Sequence, residues 1–133
     1  MKKQGTIRVC IDYWDVNHAC PKDNYPTPFI DQIIDYCAGC EIFSLMDGFS
    51  DYNQINIRQD DQHKTTFIYP WGTFTFRKLL FGLKNAGAKF QRAMNYAFHD
   101  IKHIVQPYLD DLPTHSRKRT DHLQHLKIGR AHV

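Results

Sequence analysis

At 133 residues, with 42% hydrophobic and 23% charged side chains, the chain can bury one real apolar core and is too short for two full-sized domains, which excludes a disordered polymer. Lys and Arg number 17 against 14 Asp and Glu, and the net charge of +3 fits a polyanionic partner without requiring one. No run approaches the ~18 apolar residues of a membrane span, and Met1-Lys2-Lys3-Gln4-Gly5 leads into no apolar signal core, so an intracellular, unsecreted protein is expected. Its four cysteines, at 10, 20, 37 and 40, are then expected as reduced thiols. Cys37 and Cys40 form a C-x-x-C, but Cys10 and Cys20 are not the second pair that a zinc site wants.

The elements follow in chain order. Ile7, Val9, Ile11 and Tyr13 alternate through residues 7–13 with the period of a half-buried strand. A proline-containing loop runs to about Pro28. Thr27 can cap a helix that has Pro28 at its first position, and Phe29, Ile30, Ile33, Ile34 and Cys37 recur at helical spacing until Gly39 stops it. Glu41 to Asp47 reads as a second strand, and Tyr52 to Ile57 as further extended chain after a bend at Gly48. Thr65 to Tyr69 and Thr73 to Phe76 flank Pro70-Trp71-Gly72, the signature of a β-hairpin. Ala86, Phe90, Met94, Ala97 and Phe98 form one stripe of a helix from Ala86 to about His99. His103 to Tyr108 leads into Asp110-Asp111, and Arg119 to Lys127 is a last helix. Strands and helices do not alternate regularly, so the fold class is α+β, an antiparallel sheet with helices on one face.

The densest local chemistry is Tyr108-Leu109-Asp110-Asp111, two adjacent carboxylates at a turn between strands. Adjacent like charges repel, and a divalent cation with a preference for hard oxygen ligands relieves that repulsion. Asp47, at the end of its own strand, offers a third carboxylate, and three such groups can hold two ions about 3.5–4 Å apart. The same Asp-Asp also reads as an ordinary solvated turn. His99-Asp100-Ile101-Lys102-His103 has the H-x-x-x-H spacing of a zinc hydrolase helix but lacks its glutamate and a third ligand. His122 and His125 read as a helix surface.

The order of motifs along residues 2 to about 126 resembles the reverse transcriptase of gypsy-class long-terminal-repeat retrotransposons. The matching pieces are Arg8 to Tyr13, Tyr25-Pro26-Thr27-Pro28, Phe43 to Asp47, Tyr52 to Ile55, Lys64 to Phe67, Phe81 to Ala86, Phe90 to Asn95, Tyr108 to Asp111 and His122-Leu123. The resemblance implies RNA-directed DNA polymerase chemistry, a two-metal nucleotidyl transfer from a deoxynucleoside triphosphate to a primer 3′-hydroxyl. By the same resemblance Asp47, Asp110 and Asp111 are the catalytic, metal-binding triad for two Mg²⁺, with Mn²⁺ as a substitute. Tyr52 becomes the gate against a 2′-hydroxyl, Phe81 and Gly82 line the nucleotide pocket, and Arg8 with Lys2 or Lys3 meets the triphosphate. Gln91 is expected to support the pocket. The implied partners are an RNA or DNA template with its primer and a deoxynucleotide, with no membrane. Fingers are expected at about 1–40 and 60–85, palm at about 41–59 and 86–126, and 127–133 as an unmatched tail.

The sequence departs from the family it resembles at several positions. Pro107 and Pro113 flank the aspartate pair and remove two strand donors. Trp14 replaces an arginine, Ile7 a tryptophan, Leu80 and Gly87 prolines, and Asp51 a small glycine. The matched region stops shortly after the aspartate hairpin, so a fragment truncated before the thumb is expected. The alternative reading is a catalytically inactive retroelement remnant that at most binds nucleic acid.

Overall fold

The computed structural model describes residues 11–47 and 49–131, with backbone alone at 49–51. Arg8, Lys2, Lys3, Gly48, the Asp51 side chain and most of the strand expected at 7–13 lie outside the described residues. The described end of that strand, residues 11–13, is not a strand but the approach to a helix, α1 (Trp14–Ala19), that the sequence reading placed in a loop. The Asp12 carboxylate accepts the Trp14 N–H at 2.9 Å in the turn ahead of the helix, whose N-cap, Tyr13, makes no side-chain cap bond. Its six residues carry too little apolar repeat to announce themselves.

Helix α2 (Ile30–Cys37) begins two residues later than expected, because Phe29 rather than Thr27 is the cap. No side chain caps it, and Asp31 in its first turn is the favourable charge for that end. Gly39 follows at φ +79, a left-handed position that suits glycine. Strand β1 (Ile42–Asp47) falls within the strand expected at Glu41 to Asp47, with Ile42, Ser44 and Met46 on its more buried face. After it the chain forms a 3-10 helix, Phe49–Gln54, where extended chain was expected. Tyr52 and Ile55 enter the same apolar cluster at a spacing of three, which a three-residue turn delivers and an alternating strand would not.

A short helix, α3 (Gln59–Gln62), precedes the hairpin of β2 (Phe67–Tyr69) and β3 (Gly72–Phe74), which turns over Pro70-Trp71 as predicted. The hairpin is shorter than the sequence suggests. Thr65 belongs to a 3-10 turn, and its hydroxyl accepts the Phe76 N–H at 3.0 Å, holding that residue off the ladder. Helix α4 (Ala86–Ala97) buries Ala86, Phe90 and Gln91. Strand β4 (Asp111–Ser116) pairs antiparallel with β1 over all six residues. Its other edge meets the incoming segment, where His115 N–H donates to Ile104 and Gln106 N–H to Pro113. Helix α5 (His122–Ala131) lies on the inner face of this sheet, with Gly129 against Val105, Met46 and Thr114. It continues through Lys127 to Ala131, five residues of the tail that the sequence reading left unmatched.

Two apolar clusters make the core. Tyr52, Leu79, Ala86 and Phe90 form one, and Phe98, Ile104, Val105 and Leu112 the other, with Met94 packed against both. Phe90, Phe98, Val105 and Leu112 are fully enclosed, and burying each such side chain contributes roughly 1.5–3 kcal/mol. Among the described residues no helix is long and apolar enough to cross a membrane, and Cys20, Cys37 and Cys40 are free thiols.

Candidate active site

The register of β1 against β4 sets Asp47 directly opposite Asp111. Residues opposed in an antiparallel pair project from the same face with Cβ atoms about 5 Å apart. Ahead of Asp111, Tyr108 and Asp111 exchange two backbone hydrogen bonds, each 2.9 Å, which close a two-residue turn of Leu109 and Asp110. Leu109 sits at φ +50, the one non-glycine residue with a left-handed backbone among the described residues. That conformation is unfavourable by about 1–2 kcal/mol for a residue with a Cβ. One carboxylate oxygen of Asp110, Oδ1, is buried and has no hydrogen-bond partner.

Pro113 does not break this arrangement. Its carbonyl accepts from Gln106, and in an antiparallel ladder N–H and C=O of one residue point to the same side, so the missing donor faces that segment rather than β1. The full six-residue pairing with β1 survives. Pro107 contributes its carbonyl, which accepts from Gln91 Nε2 at 2.9 Å. Gln91 also receives the Leu109 N–H on its Oε1 at 2.7 Å.

Tyr52 is buried next to this turn. Its ring stacks on Phe90 at 4.1 Å and 5° and meets Phe81 at 4.2 Å. Burial pushes the Tyr52 hydroxyl pKa up, and the neighbouring Asp110 carboxylate adds to the shift through hydrogen bonding and charge, so the phenol keeps its proton. Phe81 is 42% exposed and tilted against the Tyr52 ring. Gly82 adopts φ +97, which a side chain would resist.

Asn17, which the sequence reading passed over, fixes this loop from α1. Its amide donates to the Gly82 carbonyl at 2.6 Å and its oxygen accepts the Lys84 N–H at 2.6 Å. Asparagine is a poor helix former, and with α1 read as loop the sequence carried no signal for this role. Asn85 ties the same loop to the segment before α2, donating to Pro21 O at 2.9 Å and accepting from Asp23 N–H at 3.0 Å. Thus Asp47 and Asp111 oppose each other on paired strands with Asp110 in the turn ahead, Tyr52 lies beside Asp110 and against Phe81, Gln91 holds the turn, and Asn17 holds the Gly82 loop that follows Phe81.

The histidines behave differently from their sequence reading. Helix α4 ends at Ala97, so His99 and His103 do not share a helix face. His122 is buried, not a surface residue: its Nε2 bonds Ser44 Oγ at 2.8 Å and its Nδ1 bonds Ser116 Oγ at 2.9 Å. His125 Nδ1 meets the same serine at 2.7 Å.

For a divalent metal the fit is one of chemistry and backbone placement. Hard carboxylate oxygens, one of them buried and unpartnered on Asp110, are what Mg²⁺ takes. Among the described residues, however, no three His, Cys, Asp or Glu side chains converge closely enough to hold an ion as they stand.

Comparison with known proteins places this geometry. The family described as reverse transcriptase (RNA-dependent DNA polymerase) matches residues 1–133. The transposon Tf2-3 polyprotein of Schizosaccharomyces pombe is 35% identical over 128 residues, covering 95% of this chain and 10% of the polyprotein. The Tf2-7 polyprotein of the same organism is 34% identical over the same span. The chain therefore spans about a tenth of the length of these relatives. Among solved structures, a foamy viral protease-reverse transcriptase in complex with double-stranded DNA superposes with a TM-score of 0.81 at 22% identity, covering 98% of this chain and 23% of that one. The foamy viral enzyme in complex with an RNA/DNA hybrid gives 0.74 at 22% identity, covering 90% and 16%. These structures share the fold, and the family match over residues 1–133 means that the chain belongs to the reverse transcriptase family.

Proposed function

We propose that this chain is the fingers and palm portion of an RNA-directed DNA polymerase from a gypsy-class element, and that Asp47, Asp110 and Asp111 hold its divalent metal ions. The observation that carries the reading is the opposition of Asp47 and Asp111 across paired strands, beside a strained turn that buries an unpartnered oxygen of Asp110. Bound by these carboxylates, Mg²⁺ would supply Lewis acidity at a primer 3′-hydroxyl and at a departing pyrophosphate. The protein's own share is positional. The protonated, stacked Tyr52 forms a rigid floor that leaves no room for a 2′-hydroxyl, while Phe81 and Gly82 present a flat edge and a close backbone to the nucleotide. Arg8 clamps triphosphate oxygens in pairs and Lys2 or Lys3 adds a point charge. The partners proposed are a primed RNA or DNA template and a deoxynucleotide; the solved foamy viral relatives, which hold an RNA/DNA hybrid or double-stranded DNA, support that choice.

The test is deoxynucleotide incorporation on an RNA template with an annealed DNA primer, with and without Mg²⁺ or Mn²⁺, beside Asp110→Asn. Metal-dependent incorporation that vanishes in the variant is expected. Its absence in the parent chain would move the protein to the inactive remnant that at most binds nucleic acid.

A further inference from the structure

We infer that Gln91, backed by Asn95 and Tyr25, is a positioning residue: it holds the Leu109-Asp110 turn in its left-handed form and so determines where the Asp110 and Asp111 carboxylates stand. Only the consequence for metal binding rests on the function proposed above.

The argument starts from an unmet donor. The turn is closed by Tyr108 and Asp111, which leaves the Leu109 N–H unused by the hairpin itself. That N–H donates to Gln91 Oε1 at 2.7 Å, and Gln91 is fully buried, so no water replaces it there. Both hydrogens of the same amide are also committed. One reaches Pro107 O at 2.9 Å, on the entering arm of the turn, and the other reaches Asn95 Oδ1 at 2.9 Å, one helical turn along α4. A single side chain therefore bridges the tip and one arm of the hairpin, and a proline carbonyl with a fixed φ is a rigid anchor for it.

The chain of bonds continues outward. Asn95 Nδ2 donates to Tyr25 Oη at 2.9 Å. The Tyr25 ring lies beneath the Arg92 guanidinium at 4.7 Å, and Arg92 pairs with Asp23 at 3.1 Å. The segment around Asp23 and Tyr25 is thus connected through one face of α4 to the aspartate turn. The link also explains how Leu109 keeps a φ of +50, which is disfavoured roughly tenfold for a residue with a side chain. The bond to its N–H is made in the left-handed form, and relaxing to negative φ would strand a buried donor and a buried acceptor together.

The experiment uses the whole chain and reads amide hydrogen exchange at Leu109 and Asp111 by NMR without metal, followed by Mn²⁺ titration. In Gln91→Leu the Leu109 and Asp111 amides should exchange at least about tenfold faster, while those of Phe98 and Val105 in the neighbouring core keep their rates. Adding Leu109→Gly, which takes positive φ without strain, should return protection to Asp111. Wild-type exchange at both sites in a folded Gln91→Leu would overturn the inference. Should that variant fail to fold, Tyr25→Phe at the outer end of the chain decides: faster Leu109 exchange supports the link, and an unchanged rate overturns it. For the consequence at the metal, Gln91→Leu should weaken Mn²⁺ affinity about tenfold, and an unchanged affinity would refute the positioning role. A parent chain that binds no Mn²⁺ would sink the metal reading while the exchange result still judged the turn.

Discussion

Gly129 offers a test of how α5 is seated. A Cβ built there would lie 3.1 Å from Val105 Cγ2, 3.2 Å from Met46 Cε and 3.4 Å from Thr114 Oγ1. In an unobstructed helix, Gly→Ala stabilises by about 1 kcal/mol, because alanine has less backbone freedom to lose. Here the neighbours decide the sign. Met46 Cε is the end of a flexible side chain and can yield, but Val105 is fully buried and stiff at χ1, and Thr114 is fully buried as well. Overpacking of this kind costs about 1–3 kcal/mol, so Gly129→Ala should lose about 1 kcal/mol net. Gly129→Val, with two further methyls, should lose more than that. Gly87→Ala is the control: its Cβ would meet only Leu109 Cδ2 at 3.7 Å, an ordinary contact, and it should stabilise by roughly 0.5–1 kcal/mol. Urea unfolding at constant m-value reads the difference, and in a thermal melt 1 kcal/mol corresponds to about 4 °C at this size. If Gly129→Ala stabilised as much as Gly87→Ala, the close seating of α5 on the sheet would be refuted.

Three further outcomes are expected. Phe90→Ala removes a fully buried ring stacked on Tyr52 and should lose about 3–5 kcal/mol in denaturant titration, with loss below 2 arguing that the cluster can collapse. His115 has its pKa lowered, first by burial and then by the nearby charges of His125 and His103, with a backbone hydrogen bond at His103 partly opposing. Below about 6.5 the unfolded chain takes up a proton that the folded one refuses, so stability should fall as pH drops through that value; the urea midpoint should fall less in His115→Gln, and an equal fall would exclude His115 as the cause. On the polymerase function proposed above, Asn17→Ala should loosen the Phe81-Gly82 loop and raise the KM for deoxynucleotide more than it lowers kcat, whereas a pure kcat effect would place Asn17 elsewhere in the reaction.

The elements that were legible in the sequence are those with a strong local period. β1 reads as a strand in its apolar run before Gly48, α4 is announced by the stripe through Phe90 and Met94, and the hairpin by Pro70 and Gly72. The aspartate turn was legible as a turn from its residue types. What the sequence withheld is tertiary. The turn's left-handed backbone depends on Gln91, a residue 18 positions away, and the Gly82 loop on Asn17, 65 positions away. Tyr52 to Ile57 read as extended chain after the bend at Gly48, and only the shared cluster of Tyr52 with Ile55 makes the tighter turn intelligible. Pro113 looked like damage because its donor is missing, yet which edge of β4 carries the loss is a matter of pairing that no local pattern contains.

The pairing of β1 with β4 also decides how such a site can decay. Side chains alternate along a strand, so a slip of one residue would carry Asp111 to the opposite face and shift it by about 3.4 Å. The register itself is set by Met46 and Leu112, the opposed pair immediately beside the carboxylates, with Leu112 wholly enclosed. The relation between Asp47 and Asp111 is therefore inherited from the interior, and it is discrete. A lineage of copies accumulating substitutions in these strands would keep its carboxylates aligned while the core held its pattern, then lose the alignment in one step.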